Sequence, residues 1–176
     1  MKKYMTGSRA FTLIEMLVVV VIFSIIAASS TGVFVSSLKM QKYNLKQQQL
    51  LNQASYFVEY MSRSIRMAKK DTIGCIDGSN FQETVSSIKF ATYNGECWRF
   101  YLESGKIKIN KNGTIYDFTS NDLNIDSFVV SVVGDVNGDN QQPKVTLSLN
   151  IKANNVGSST PTLKIKTSIS QRNLDI

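Results

Sequence analysis

The sequence lacks histidine entirely and has only two cysteines, Cys75 and Cys97, with no group of them at metal-ligand spacing. These absences remove the commonest ligands of zinc and the imidazole group on which much acid–base catalysis depends. No spacing of nucleophile, base and acid stands out among the other residues, so the sequence does not predict an enzyme. Internal repeats and low-complexity tracts are also absent, which argues against a repeat architecture.

One apolar run dominates the chain, from residue 11 to residue 35. As a helix rising ~1.5 Å per residue it covers ~37 Å, which is enough to cross a bilayer. The preceding leader is basic, with Lys2, Lys3 and Arg9 and no acid, which predicts that the N-terminus stays in the cytoplasm while the rest crosses. The run is too long for the core of a cleaved secretory signal, which spans ~7 to 15 residues.

Glu15 is the one charged side chain in this run. An isolated carboxylate in hydrocarbon costs about 2.5 kcal/mol or more unless it finds a partner. A functional role is therefore the first hypothesis for Glu15. The alternative is that its side chain simply extends to the lipid headgroups.

The leader and the string AFTLIE at residues 10–15 resemble the cleavage and methylation motif of type IV prepilins and pseudopilins. The resemblance implies that a prepilin peptidase cuts between Ala10 and Phe11 and that the new amine of Phe11 is methylated. Glu15 would then be the fifth residue of the mature chain. The residue before the cut is usually glycine in this family; a cut after Gly7 would make Glu15 the eighth residue, so we expect the cut after Ala10.

The resemblance also implies how such a chain assembles. Its partners would be other pilins or pseudopilins, packed through their N-terminal helices, and an inner-membrane assembly platform. A carboxylate at Glu15 and a free amine at Phe11 can neutralise each other across a helix interface of low dielectric. We expect a single-pass protein of the cytoplasmic membrane that later enters an extracellular or periplasmic filament.

The two cysteines both follow the apolar run, and therefore lie outside the reducing cytoplasm if the predicted orientation holds. A disulfide between Cys75 and Cys97 would close a loop of about 22 residues and stabilise the fold by about 3 kcal/mol. Two unpaired thiols are the alternative, because the sequence does not show how far apart the residues lie.

After residue 35 the apolar residues recur at helical steps, so one helix is predicted from about residue 12 to residue 69. Turn pairs such as Asn94-Gly95, which demands positive φ twice and favours a tight hairpin, join a meander of short strands. Strands are predicted at residues 88–93, 97–102, 106–109, 114–118, 127–133, 144–152 and 162–171.

This pattern predicts an α+β fold of pilin type, in which the long helix packs on an antiparallel sheet. The expected segments are a leader at 1–10, a transmembrane helix at 11–35, an amphipathic half of the same helix at 36–70, and a β domain at 71–176.

The turn that contains Asp135, Asn137 and Asp139 imitates the first half of an EF-hand calcium loop. Residue 146, the twelfth position, is threonine rather than glutamate, and no exiting helix follows. A polar β-turn is the simpler interpretation, with weak Ca²⁺ binding as the alternative; no other cofactor is expected.

The net charge is +7, but the lysines are spread over hairpins and the C-terminal strands without a clustered run. We interpret this surplus as a solvated face, with nucleic-acid binding as the alternative.

The order of elements and the segment RSIR at residues 63–66 are also similar to the larger minor pilins, namely J-type pseudopilins and W-type minor pilins. That likeness implies a minor subunit near the tip of a type IV pilus, or of a type II secretion or competence pseudopilus. Three alternatives stay open: a tip pilin that binds DNA or surfaces, a signal-anchored exported domain outside any filament, and a membrane-anchored enzyme.

Overall fold

The structure is a computed structural model that describes residues 10–135, 141–154 and 160–172. These residues form one long helix followed by antiparallel strands. The elements are α1 (Leu13–Arg66), β1 (Phe81–Thr84), β2 (Ser87–Ala91), β3 (Cys97–Glu103), β4 (Lys106–Lys111), β5 (Thr114–Asp117), β6 (Leu123–Val133), β7 (Lys144–Ala153) and β8 (Thr162–Ser170). The predicted α+β class, with a long helix packed on antiparallel strands, is confirmed.

The chain divides into two compact units, Met1–Lys42 and Tyr43–Ile176, and α1 contributes residues to both. We call the second unit the head. In the first unit every described residue is exposed. In the head the helix has a buried stripe at steps of three or four residues, which is the spacing of one helix face. The stripe consists of Leu50, Ala54, Phe57, Met61 and Ile65.

The strands of the head form two antiparallel sheets. The first is a five-stranded meander in the order β1-β2-β3-β4-β5, and the second is three-stranded in the order β6-β7-β8. The turns at Ser104-Gly105 and Asn112-Gly113 have positive φ at both residues, so they are two-residue hairpin turns. Strand β1 is absent from the sequence prediction because its four residues, FQET, show no alternation of apolar residues.

The turn between β2 and β3 differs from the prediction made from Asn94-Gly95. A two-residue turn at this place would set Lys89 opposite Phe100. The structure instead pairs Lys89 with Arg99, and within this loop only Gly95 has positive φ, at 76°. The loop is therefore one residue longer than predicted and ends in a left-handed glycine, which is a common hairpin form.

The inner faces of both sheets and the buried stripe of α1 share one hydrophobic core. Aromatic rings join the helix to the first sheet, with Phe118 lying 5.3 Å from Phe57 and 5.0 Å from Tyr60 between ring centroids. Tyr60 also stacks on Trp98, with ring centroids 6.2 Å apart and planes 3° from parallel. The helix therefore covers the first sheet through aromatic contacts, as its apolar face predicts.

The end of the chain closes the C-terminal end of the helix. The Arg172 amide donates to the Arg66 carbonyl at 2.9 Å, and Gln171 Nε2 donates to the Ala68 carbonyl at 2.9 Å. Gln171 is buried, and its amide also donates to the side chain of Asn80 at 3.1 Å. The residues that follow β8 thus bond the carbonyl of the last helical residue and that of Ala68, two residues beyond the helix.

Candidate functional site

The first candidate site lies where α1 begins. Ala10 and Phe11 are exposed and precede the helix, so the peptide bond between them lies in non-helical backbone. Thr12 caps the helix: its Oγ1 accepts from the Glu15 amide at 3.3 Å, and its carbonyl accepts from the Met16 amide at 3.2 Å. A threonine at this position satisfies an amide that the first helical turn leaves free, so the sequence places the helix start just after Phe11.

Glu15 lies in the first turn of α1. The partial positive charge of a helix N-terminus stabilises a carboxylate there by about 0.3–1 kcal/mol. Burial of the same carboxylate in hydrocarbon costs about 2.5 kcal/mol or more. The helix dipole alone therefore does not offset burial of Glu15, and a full positive charge is needed as a partner in an apolar environment.

The helix around Glu15 presents apolar side chains on all sides. By length and composition, α1 passes the test for a segment able to cross a membrane, and none of its most apolar stretch is buried within the protein. Large apolar side chains with at least 45% exposure include Leu13, Ile14, Leu17, Val20, Ile22, Phe23, Ile25, Val33, Phe34 and Val35. A surface of this kind needs lipid or the helices of neighbouring subunits to cover it.

The polar side chains of this stretch are satisfied within the helix itself. Ser24, Ser29, Ser30 and Thr31 each donate their hydroxyl to the carbonyl oxygen four residues earlier, at 2.7–2.9 Å. Such bonds remove the penalty that a free hydroxyl would carry in lipid. Glu15 is therefore the polar side chain of this stretch that still requires a partner from elsewhere.

In the head, the structure joins Cys75 and Cys97 by a disulfide, with their Cα atoms 5.6 Å apart. The bridge links the loop that follows α1 to the first residue of β3. The predicted bond is therefore present.

Asp71 organises the same loop. Its side chain is buried and accepts from the amides of Ile73 at 3.0 Å and Ile76 at 2.5 Å. Burial by itself raises the pKa of Asp71, but backbone amides, led by that of Ile76, outweigh burial and hold the pKa below its usual value. An ionised Asp71 therefore fixes the loop that carries Cys75.

The candidate calcium turn lies only partly within the described residues, because Asn137 and Asp139 fall outside them. Both carboxylate oxygens of Asp135 accept backbone amides at 3.1 Å, from Asn80 and Phe81 respectively. Asp135 thus ties the start of β1 to the end of β6. Within residues 10–135, 141–154 and 160–172, no group of three or more acidic or cysteine side chains is arranged to hold a metal ion.

A second polar site, which the sequence alone did not indicate, lies on the solvent-facing side of the five-stranded sheet. Lys89 on β2 and Arg99 on β3 are directly opposite each other and line a cavity of about 490 Å³. Strand alternation alone places both on this face, but the pairing depends on the three-residue loop between the strands. Gly95 was the sequence signal for this pairing: a three-residue hairpin loop that ends in glycine predicts that Lys89 and Arg99 lie opposite each other.

Comparison with known families bears on the first site. A family model, the prokaryotic N-terminal methylation motif, matches residues 5–31. No curated protein and no solved structure matches the chain. The matched residues include Ala10, Phe11, the capping Thr12 and Glu15, and they cover most of the exposed apolar stretch of α1, ending at residue 31.

This match confirms the resemblance drawn from the string AFTLIE. The motif marks structural pilin-type subunits rather than a class of enzymes, and the long apolar helix and the disulfide agree with it. The chain carries the N-terminal methylation motif, which is the signature of type IV prepilins and pseudopilins.

Proposed function

We propose that this protein is a minor subunit of a type IV pilus, or of a type II secretion or competence pseudopilus. The observation that carries the proposal is the methylation motif at the start of a helix whose first half is exposed and mostly apolar. Its second half packs in the folded head. The protein would first lie in the cytoplasmic membrane with its N-terminus inside, and then enter a periplasmic or extracellular filament.

The exposed, non-helical bond between Ala10 and Phe11 supports cleavage by a prepilin peptidase at this place. Hydrolysis with one water molecule leaves a carboxylate on Ala10 and a free amine on Phe11. Transfer of one methyl group from a sulfonium donor forms the new N–C bond, breaks the S–CH3 bond and releases the donor as a thioether. The resulting secondary amine is protonated and positively charged at neutral pH. Cleavage would therefore create a cation one helical turn before Glu15.

That cation supplies the partner that Glu15 requires. Breaking a buried pair by removing one charge costs about 3–5 kcal/mol, because the remaining charge stays buried without compensation. If neighbouring subunits packed with a wrong axial offset, the Phe11 amine and the Glu15 carboxylate would both be buried without an opposite charge. The pair would therefore set the register between subunits on the assembly platform.

The processing step is tested by intact mass and N-terminal sequencing of the protein from membranes of cells that contain a prepilin peptidase. We expect a chain that starts at N-methylated Phe11. A chain that still begins at Met1 would contradict the proposed function and leave a signal-anchored exported domain.

Two matched variants identify the cut. Ala10→Asp should block processing, because it changes the residue before the bond, whereas Gly7→Asp should leave a mature chain that still begins at Phe11. The reverse pattern would assign the cut to the bond after Gly7 and place Glu15 out of register with the family.

A further inference from the structure

The outer face of the five-stranded sheet carries a polar cavity that filament assembly through α1 does not use. Lys89, Arg99 and Asn110 form one row across β2, β3 and β4, each directly opposite the next. The cavity has a volume of about 490 Å³, which lies in the usual range for small-molecule sites. We call it the cation pocket; the lining residues used below are Thr84, Ser87, Lys89, Arg99, Asn110 and Asn112.

The two cations of the pocket keep their charge free for a ligand. Lys89 Nζ donates to the Cys75 carbonyl at 2.7 Å, and Arg99 Nη2 donates to Ser87 Oγ at 3.3 Å. Both acceptors are neutral, and no carboxylate lines the pocket among the described residues. These bonds orient Lys89 and Arg99 without neutralising them.

The neighbouring lysines on the same face are different. Lys108 Nζ lies 2.6 Å from a Glu103 carboxylate oxygen, and Lys106 Nζ lies 3.6 Å from Asp117. The hydrogen bond that Lys108 donates to the Glu103 carboxylate raises the pKa of Lys108, as expected for a cation with its own anion. The positive charge of this face is therefore concentrated at Lys89 and Arg99.

Most of the remaining lining residues carry hydroxyl or amide groups, which match a ligand with its own hydroxyl groups; the others are the disulfide-bonded Cys97 and Gly113. Thr84, Ser87, Asn110 and Asn112 supply both donors and acceptors beside the two cations. Arginine and lysine together recognise a carboxylate or a phosphate group. We propose that the cation pocket binds an acidic saccharide, with its carboxylate or phosphate at Lys89 and Arg99 and its hydroxyls on the polar rim.

The same features disfavour nucleic acid as the ligand. A nucleic-acid site combines several phosphate contacts along a basic stripe, and single strands add aromatic rings on which bases stack. Among the described residues, the cation pocket is lined by two cations without a carboxylate partner and by no aromatic residue. The ring of Tyr101, beside the pocket on β3, is covered by the Arg99 guanidinium at 5.2 Å.

The test uses the full chain purified in detergent and titrated by calorimetry with three probes. They are a galacturonic acid trisaccharide, glucose 6-phosphate and a mixed-sequence DNA duplex; a neutral galactose trisaccharide is the uncharged reference. We expect binding of the galacturonate or the sugar phosphate, weakened by salt, and no binding of the neutral trisaccharide. The stronger of the two acidic probes assigns the group as carboxylate or phosphate.

The variant Lys89→Gln/Arg99→Gln should weaken binding about tenfold or more, because it removes both charge-assisted contacts. The matched control is Lys164→Gln/Lys166→Gln on β8, which removes the same charge from two exposed lysines of the other sheet and should bind as the unchanged protein does. Equal losses in both variants would overturn the proposal, as would binding of neither acidic probe.

A third variant covers the case in which loss of the Lys89 bond to the disulfide loop prevents folding. Asn110→Asp adds one negative charge to the pocket while keeping the oxygen that accepts from the Gly113 amide at 2.8 Å. It should weaken acidic-saccharide binding as well. Two results would contradict the proposed ligand. One is acidic-saccharide binding by Asn110→Asp that equals binding by the unchanged protein. The other is that the unchanged protein binds the DNA duplex more tightly than the acidic probes and loses this binding in Lys89→Gln/Arg99→Gln. Because the test requires no filament, its outcome is independent of the proposed function.

Discussion

The same kinds of apolar side chain are exposed in the first unit of the chain and buried in the head. Phe23 in the first unit is 70% exposed, whereas Phe57 in the head is 2% exposed, although both belong to α1. Full burial of such a side chain is worth about 1.5–3 kcal/mol. The head gains this free energy from its own sheets, and the first unit can gain it only from lipid or from other subunits. One helix is therefore built for two environments.

We expect the strongest effect from the removal of Glu15 in the first unit. Glu15→Ala should abolish incorporation into filaments, because the Phe11 amine would lose its partner at a cost of about 3–5 kcal/mol. The head should unfold at the same urea concentration as before. Incorporation is measured by immunoblotting of sheared filament and membrane fractions.

The matched control for Glu15 is Glu59→Ala, which removes an exposed carboxylate of the same helix that pairs with Arg63 at 2.6 Å. That exposed pair is worth at most about 0.5 kcal/mol, so incorporation should not change. Normal incorporation of Glu15→Ala would contradict the register model.

The next effect concerns the apolar residues themselves. Phe57→Ala should destabilise the head by about 3–5 kcal/mol, because it leaves a cavity against Phe118. Phe23→Ala should leave the stability of the head unchanged. Urea unfolding followed by fluorescence of Trp98, the single tryptophan, reports on the head alone, since this ring stacks on Tyr60. Equal destabilisation by both variants would show that the first unit packs on the head.

A smaller effect is expected from the disulfide. Cys75→Ser/Cys97→Ser should lower the free energy of unfolding of the head by about 3 kcal/mol, because the closed loop spans 22 residues. Urea unfolding with Trp98 fluorescence measures it, and the unchanged protein with added reductant should reach the same midpoint. A midpoint unaffected by either treatment would mean that the bond does not constrain the unfolded chain.

The smallest effect concerns pH. Since the pKa of Asp71 lies below its ordinary value of 3.8 in the folded head, its ionised form stabilises the fold above that value. This contribution is lost as the pH falls through the lower, folded pKa. Asp71→Asn should therefore be less stable than the unchanged protein at pH 7, and the difference should shrink as the pH is lowered below 4. Urea midpoints measured at pH 7, 5 and 3 test this.

The matched control is Asp77→Asn, an exposed residue of the same loop. Its urea midpoint at pH 7 should equal that of the unchanged protein. A stability difference for Asp71→Asn that stays constant with pH would contradict the role of the ionised carboxylate.

The sequence was sufficient to predict the helix, its apolar first half and most strands, because these depend on period and composition over many residues. It was insufficient for the pairing of Lys89 with Arg99, because one extra loop residue shifts the whole register. The motif at residues 10–15 could be recognised in the sequence because it is a specific continuous string. The cation pocket could not be predicted, because its residues lie on separate strands that only the fold brings together.

The burial of polar side chains could not be predicted from the sequence either. From the pattern, Gln171 is expected to be the exposed polar end of an alternating strand. It is instead 1% exposed and donates a hydrogen bond to the Ala68 carbonyl. Nothing local marks it, since its partner lies 103 residues earlier.

That contact also bears on the order in which the head forms. The residues that bond to the end of α1, Gln171 and Arg172, follow β8, the last strand among the described residues. Contacts between residues so distant in sequence require the largest loss of chain entropy and form late. The helix can begin to form as soon as it is synthesised, but the carbonyl of its last residue, Arg66, lacks its partner until β8 joins its sheet. A chain truncated before Gln171 should therefore fray at the end of the helix, at the far end of α1 from the motif.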